Sequence, residues 1–304
     1  MTTEVIITGT GSPVPDADRA GPGVLVRSGD LALQFDAGRS TVQRLAAVGM
    51  WNLQLTAVFA THHHSDHLTG LADLVLSHWV MARGDDFTPI QIVVPAGPAE
   101  DYVSEMLHPW RHDLAVRAEH SRRSRTVEME LTAFEVPESP TEVWRSGDVA
   151  VSAGQVRHEP VFPAVGYRVS TPDGDVVITG DTLVCDEVAE LAAGADVLVY
   201  EAMLFPQVEQ GPPIRHFILD YHADTRLIGP QAAELGMPTL VLTHLIPAPA
   251  AASGPLQRPG AAVSEHDFES PIREGGYTGD LLVARDLDKV VLEAGVPPRI
   301  ERRD

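Results

Sequence analysis

Residues 58–67 read VFATHHHSDH, an apolar run that stops abruptly at four histidines and an aspartate. Val58, Phe59 and Ala60 have the makings of a buried strand, and a buried strand holds its end still. In extended chain, alternate residues point the same way, so His62 and His64 can present their imidazoles to one point. Asp66 and His67 follow where the chain begins to turn, and can face a second point close by. Neutral imidazole and carboxylate are the ligands that zinc and similar divalent ions take. A purification-tag-like run would sit at a terminus, without the aspartate and without a strand leading into it. A metal site here demands further ligands downstream, at the ends of other strands.

The rest of the chain supplies such residues. Strand-like runs end at Asp36, at His158, at Asp181 and at His244, and ADVLVYEA runs into Glu201. One histidine after a strand means little. Several acids and imidazoles at strand ends share one explanation: the strands of a sheet deliver them to one rim.

The elements that would carry them can be read in order. Residues 4–8 form a strand, followed by a Gly- and Pro-rich loop and a hairpin turning at Ser28-Gly29-Asp30. Thr41 to Val48 reads as a helix with Ser40 as N-cap and Gly49 as stop. Leu68 to Met81 reads as a single helix and Ile90 to Val94 as a strand. Residues 99–125 are helical in composition and end in Arg122, Arg123 and Arg125, read as a solvated helix end. Strands return at 127–136 and 149–156, then a hairpin turns at Asp173-Gly174. Helices follow at 186–193 and Thr225–Leu235, with an irregular stretch at 206–220 between them, and 281–292 supplies the last strands. No repeat or separable linker is evident. One domain over 1–304 is expected, with a variable helical and strand insert at 97–148. A Pro-, Ala- and Gly-rich loop at 246–276 is a candidate lid.

T-H-x-H-x-D-H at 61–67, the single His158, Gly180-Asp181 and Thr243-His244 stand in the order of the motifs of the metallo-β-lactamase superfamily, which the chain resembles. The resemblance spans nearly the whole chain outside about 97–148 and 246–275. GTGSPVP at 9–15, Arg19, FDAG at 35–38, Glu201-Ala202 and His222 resemble one branch, that of ribonuclease Z and the arylsulfatase-like hydrolases. The resemblance implies an α/β fold, the αββα sandwich of two facing mixed sheets with helices outside. It also implies two divalent ions, zinc foremost, with manganese and iron as alternatives. His62, His64 and His158 would bind one ion, Asp66, His67 and His244 the other, and Asp181 would bridge them. Asp36 is expected behind the ligands, bonded to a ligand histidine. His63 is expected there or facing outward. Two such ions lower the pKa of a water and supply a nucleophile near neutral pH. Asp66 would orient it. His222, its tautomer held by Glu201, resembles the proton donor to the leaving oxygen.

Composition bears on the substrate. The 304 residues, 44% hydrophobic, suit one large domain. There is no apolar run of about 18 residues and no leader-like segment at the N-terminus. The one cysteine, Cys185, rules out an internal disulfide. A cytoplasmic protein with no membrane association is the expectation. The net charge of −21, with Lys289 the only lysine, argues against a polyanionic partner. Members of the ribonuclease Z type carry a long basic arm between the equivalents of His158 and Asp181. Here 22 residues lie between the two, and the hairpin fills them. The expectation is therefore a small-molecule substrate, with nucleic acid disfavoured. The bond would be a carboxyl ester or lactone, a sulfate ester, a phosphodiester or a thioester. Trp79, Arg83, Phe162, Phe205, Phe217 and Tyr221 are candidates for the pocket wall. A ribonuclease Z-type tRNA 3′ processing endonuclease is the alternative, and a non-catalytic metal-binding relic a second. The resemblance further implies a homodimer.

Overall fold

The chain is described by a computed structural model covering residues 2–51, 54–249 and 263–303. Its first half runs β1 (Thr2–Gly9), β2 (Gly23–Ser28), β3 (Leu31–Phe35), α1 (Thr41–Ala47), β4 (Ala57–Phe59), α2 (Ser65–Leu68), α3 (Leu71–Met81), β5 (Ile90–Pro95), α4 (Pro98–Glu105), α5 (Arg111–Ser121) and β6 (Met129–Phe134). The second half runs β7 (Thr141–Ser146), β8 (Val149–Gln155), β9 (Val165–Thr171), β10 (Gly174–Ile178), α6 (Asp186–Ala192), β11 (Val197–Met203), α7 (Phe205–Glu209), α8 (Thr225–Glu234), β12 (Thr239–Ile246), α9 (Glu265–Glu274), β13 (Asp280–Val283), β14 (Lys289–Glu293) and β15 (Val296–Glu301).

The strands form two sheets. One has eight strands in the order β15-β14-β1-β2-β3-β4-β5-β6, the other seven in the order β13-β12-β11-β10-β9-β8-β7. Both are mixed. β3 to β6 run parallel, as do β10 to β13, while the hairpins β2–β3 and β9–β10 are antiparallel. β4, β5, β11 and β12 are apolar almost throughout, as strands covered on both faces must be. Between the sheets, Phe35 stacks on Phe59 with centroids 4.8 Å apart, and Tyr167 leans on both at 5.5 Å. Helices α1, α3 and α4 bury Leu45, Leu71, Leu74 and Val103 on the outer face of the first sheet. Helices α6, α8 and α9 bury Val188, Ile228 and Phe268 on the outer face of the second. This is the expected αββα sandwich.

Several local expectations change. The expected helix from Leu68 to Met81 starts three residues later, as α3, and a separate short α2 ends at Leu68, because the exit from β3 presses against the chain at Gly70. The Gly70 amide donates to the Ala37 carbonyl at 2.8 Å, and a Cβ on Gly70 would lie 2.1 Å from the Gly38 oxygen. Ser40 makes no side-chain cap; it sits in the left-handed region at φ 68°. β7 was unforeseen, since TEVWRS is a polar edge strand without clean alternation. Thus the expected insert at 97–148 supplies β6 and β7, one edge strand to each sheet. The stretch 206–220 is ordered as α7 and a 3-10 segment, Pro213–Asp220. The expected loop at 246–276 contains α9, which packs against α8 and β13 and buries Phe268 and Ile272. Residues 250–262 of the candidate lid lie outside the described residues. Of the arginine patch, Arg122 is exposed at the helix end as expected, while Arg123 and Arg125 are spent on structure. Arg123 donates to the Trp79 and Ala82 carbonyls at 2.6 and 2.8 Å, closing the C-terminus of α3, and stacks 4.7 Å over the Trp79 ring. Arg125 pairs with Glu128 and stacks 4.2 Å over Phe87.

Candidate metal centre

The two sheets are tied together where the opening histidines emerge. His62 bridges to Ala164 at the start of β9, and the Val165 amide donates to the Thr61 carbonyl at 3.0 Å. The Tyr167 hydroxyl donates to the Ala60 carbonyl at 2.6 Å, bracing the chain just before His62. Four neighbouring strands deliver further groups to this rim: Asp36 after β3, His158 after β8, Asp181 after β10 and Glu201 in β11. His244 is the extra residue of a bulge in β12, because Glu201 pairs with Thr243 and Ala202 with Leu245. His244 and Asp36 both adopt left-handed conformations, at φ 45° and 53°. Such strain in non-glycine residues concentrates at functional sites. Gly180, at φ 63°, must lack a side chain: a Cβ would lie 2.7 Å from the Thr61 Cβ.

The side chains meet as two groups sharing Asp181. His62, His64, His158 and Asp181 offer ligand atoms within 4.8 Å of one another, as do Asp66, His67 and His244. His158 Nε2 stands 3.2 Å from His64 Nδ1, and Asp181 Oδ2 lies 3.9 Å from His62 Nε2. On the other side, Asp181 Oδ1 lies 3.3 Å from His67 Nε2 and its Oδ2 3.5 Å from His244 Nε2. A third grouping joins Asp181, His222 and His244.

Electrostatics divide the two groups. Burial depresses His158 to about 4, and its Nδ1–H donates to the Tyr221 carbonyl at 2.8 Å, so Nε2 carries a lone pair. Burial likewise lowers His62 and His64. In the second group burial works against the charged imidazole, yet the Asp181 and Asp66 carboxylates raise His244 to about 9. Asp181 and Asp36 raise His67 in the same way against its burial. Despite burial, Asp181 is held well below the usual carboxylate range by His244 and His67. Buried His62 Nε2 has no hydrogen-bond partner, and buried His67 Nε2 and Asp181 Oδ1 face each other at 3.3 Å without forming a hydrogen bond. Leaving such groups unmet costs about 1–3 kcal/mol each. A divalent cation satisfies converging imidazole and carboxylate groups of this kind, so the residues fit a metal.

Behind the two groups, Asp36 Oδ2 accepts the His67 Nδ1–H at 2.7 Å. His63 does not join this support. Its Nδ1 has no partner, and its ring lies 6.2 Å from that of His64. Glu201 Oε1 accepts His222 Nδ1–H at 2.9 Å and the Ala223 and Thr182 amides at 3.0 and 3.1 Å. That fixes the His222 tautomer and leaves Nε2 free. Of the candidate wall residues, Tyr221 lies against the site, its ring 5.0 Å from His158 and 4.8 Å from His222. Phe217 neighbours Tyr221 at 6.2 Å. Phe162 is exposed on the turn after His158, and Phe205 is half-buried beneath the Arg226 guanidinium. Trp79 and Arg83 are placed elsewhere. Trp79 lies in the last turn of α3 and Arg83 just beyond it, and the adjacent His78 bonds Thr88 just before β5, at the opposite end of the sheet from the strand C-termini that form the rim. Trp79 is core, and Arg83 is exposed.

Three contributors went unread in the sequence. The Thr61 amide and hydroxyl donate to Asp36 at 2.8 and 2.9 Å, and its Oγ1 lies 3.0 Å from His62 Nδ1. The Thr182 amide holds Glu201, and the Tyr221 carbonyl orients His158. Only Thr61 left a trace, as the threonine leading the histidine motif.

A sandwich with histidines and aspartates gathered at one rim is the architecture of a metallohydrolase. A family model described as the Beta-lactamase superfamily domain matches residues 33–245. Ribonuclease Z of Mycobacterium bovis (strain BCG / Pasteur 1173P2) is 39% identical over 246 residues, 81% of this chain and 86% of that protein. Ribonuclease Z of Mycobacterium marinum (strain ATCC BAA-535 / M) is 38% identical over 247 residues, 81% of this chain and 87% of its own. Among solved structures, the metallo-beta-lactamase fold protein YhfI from Bacillus subtilis has a TM-score of 0.71 at 19% identity, covering 96% of this chain and 100% of its own. Human tRNase Z, short form, has a TM-score of 0.65 at 21% identity, with the same coverage. The two structures share the fold. The chain belongs to the metallo-β-lactamase superfamily, as a metal-dependent hydrolase homologous to proteins named ribonuclease Z.

The expectation of a small-molecule substrate, with nucleic acid disfavoured, is corrected by these relatives, which are ribonucleases by name over four-fifths of this chain. The physical fault lies in the charge argument. A net charge sums the whole surface, whereas phosphate is met locally, and cations bound at the rim would reverse the sign there. Among the described residues, no helix is long and apolar enough to cross a membrane.

Proposed function

We propose that the chain is a ribonuclease Z-type endonuclease that hydrolyses a phosphodiester in a structured RNA such as a tRNA precursor. The observation that carries this reading is the 39% identity to Ribonuclease Z across 81% of the chain. It is supported by the His222–Glu201 pair beside the ligand groups. We assign His62, His64 and His158 to one ion, Asp66, His67 and His244 to the other, and Asp181 to both. Imidazole and carboxylate donors without thiolate suit Zn2+. When bound, the ions supply an activated water and neutralise charge on the phosphate. Asp66 accepts a hydrogen bond from the attacking water and orients it. The water oxygen bonds to phosphorus as the bond to the ribose oxygen breaks. In this step His222 is protonated on both nitrogens: Nε2–H would give the leaving oxygen its proton, while Glu201 keeps Nδ1–H in place.

The test is cleavage of a 3′-tailed precursor RNA, with a 2′-deoxy substitution at the scissile nucleotide as the second substrate. Water as nucleophile requires a single cut in both, without a 2′,3′-cyclic phosphate. An intact RNA under conditions where nitrophenyl acetate or nitrophenyl sulfate is hydrolysed would refute the reading.

A further inference from the structure

The 3-10 segment Pro213–Asp220 carries two strongly exposed apolar side chains, Ile214 at 82% and Phe217 at 58%. It leads directly into Tyr221 and His222. The rings form a continuous path inward: Phe217 lies 6.2 Å from Tyr221, and Tyr221 lies 5.0 Å from His158, 4.8 Å from His222 and 6.5 Å from His64. The path is fastened to the centre, because the Tyr221 carbonyl accepts the His158 Nδ1–H at 2.8 Å. An exposed apolar surface contiguous with a site invites an occupant.

The occupant follows from the chemistry of the site. A phosphodiester seated on the ligand groups carries a nucleoside on either side, so a base must lie beside the rim. A base within a duplex has both faces covered by its neighbours. An unpaired base has free faces, and aromatic side chains take such bases without regard to sequence. The hairpin β9–β10 fills the space between His158 and Asp181, so no projecting segment arises there to grip RNA. We infer that Tyr221 and Phe217 form a stacking platform for the unpaired nucleobase next to the scissile phosphate. The platform makes the enzyme specific for the single-stranded side of a cleavage junction. This inference rests on the RNA-cleaving reading above.

The experiment uses the metal-loaded full chain and two tailed hairpin RNAs, one with a normal first tail nucleotide and one abasic there. Alanine substitution at a stacking ring corresponds to about a five- to hundred-fold loss of affinity. Phe217→Ala is expected to raise KM by that factor on the base-bearing RNA, with kcat nearly unchanged. On the abasic RNA its KM should equal that of the unsubstituted enzyme. Phe217→Trp should restore the loss, and Trp110→Ala, an exposed aromatic outside the site, should change neither. A second readout needs no turnover: 2-aminopurine at the first tail position should be quenched on binding metal-free protein, and not by Phe217→Ala. Equal losses on both RNAs, or an unchanged KM with unchanged quenching, would overturn the platform. Quenching without cleavage by the loaded enzyme would instead overturn the RNA-cleaving reading and leave the platform standing.

Discussion

Asp36→Asn removes one charge from a carboxylate that props both halves of the centre. Asp36 Oδ2 accepts the His67 Nδ1–H at 2.7 Å, and Oδ1 accepts the Thr61 amide at 2.8 Å. The Thr61 hydroxyl donates to Asp36 and stands 3.0 Å from His62 Nδ1, so the carboxylate also orients His62 at one remove. Asparagine keeps the shape, but its charge is gone and its amide group must face one of these partners. A hydrogen bond to a charged group is worth about 1.5–3 kcal/mol, so the ion bound by His67 should weaken about ten- to hundred-fold. The ion bound by His62 feels the change only through a neutral hydroxyl, worth about 1 kcal/mol or roughly five-fold. Calorimetric titration of zinc into chelator-treated protein resolves the two steps. The expected result is one step weakened far more than the other. Wild-type affinity at both steps, or equal weakening, would refute the arrangement.

Three further outcomes follow from the same geometry. His222→Ala should lower kcat on RNA by about 10²–10⁴-fold, and by much less on a nitrophenyl phosphodiester, whose leaving group needs no proton; equal losses would remove the proton-donor role. Gly180→Ala forces a left-handed alanine, with its Cβ 2.7 Å from the Thr61 Cβ. Strain and overpacking should together cost about 2–4 kcal/mol in urea unfolding, and wild-type stability would contradict this. Burial raises Tyr277 to about 12 and Tyr167 and Tyr200 well above the ordinary phenol value. The folded state therefore holds these protons more tightly than the unfolded chain. The resulting stability is complete below about pH 10 and lost as pH rises through the folded values. Phenolate absorbance from these tyrosines should appear together with loss of the circular dichroism signal. Reversible titration near pH 10 in folded protein would contradict their burial.

The sequence was legible wherever a residue's own position determines its role. Asp36, His62, His158, Asp181 and His244 end apolar runs, and a strand that must be buried can deliver its end to only one rim. Support supplied by other elements was harder to read. Thr61 acts on an aspartate 25 residues upstream, and the backbone carbonyl of Tyr221 looks like any other carbonyl. Trp79 and Arg83 rest on likeness to the arylsulfatase-like members, which often carry an aromatic and an arginine there, and that likeness carries no position in space. A helix advances about 1.5 Å per residue, so the end of α3 lies a long way from its start. β7 and α9 were missed for opposite reasons: one is a polar edge, and the other begins beside a Pro- and Ala-rich stretch that masks its apolar Phe268 and Ile272. Net charge failed because it carries no position at all.

One rim is proposed both to hold metal and to cut RNA. Metal content and cleavage of a 3′-tailed precursor RNA should be measured on the same preparations of the unsubstituted chain and of Asp181→Asn, the carboxylate between the two groups. The unsubstituted chain should carry close to two ions and make a single hydrolytic cut, lost to a chelator and regained with zinc. Asp181→Asn should lose metal and cleavage together while keeping its fold. RNA cleavage that persists in metal-depleted Asp181→Asn, or a fully loaded unsubstituted chain that leaves RNA whole, would contradict it.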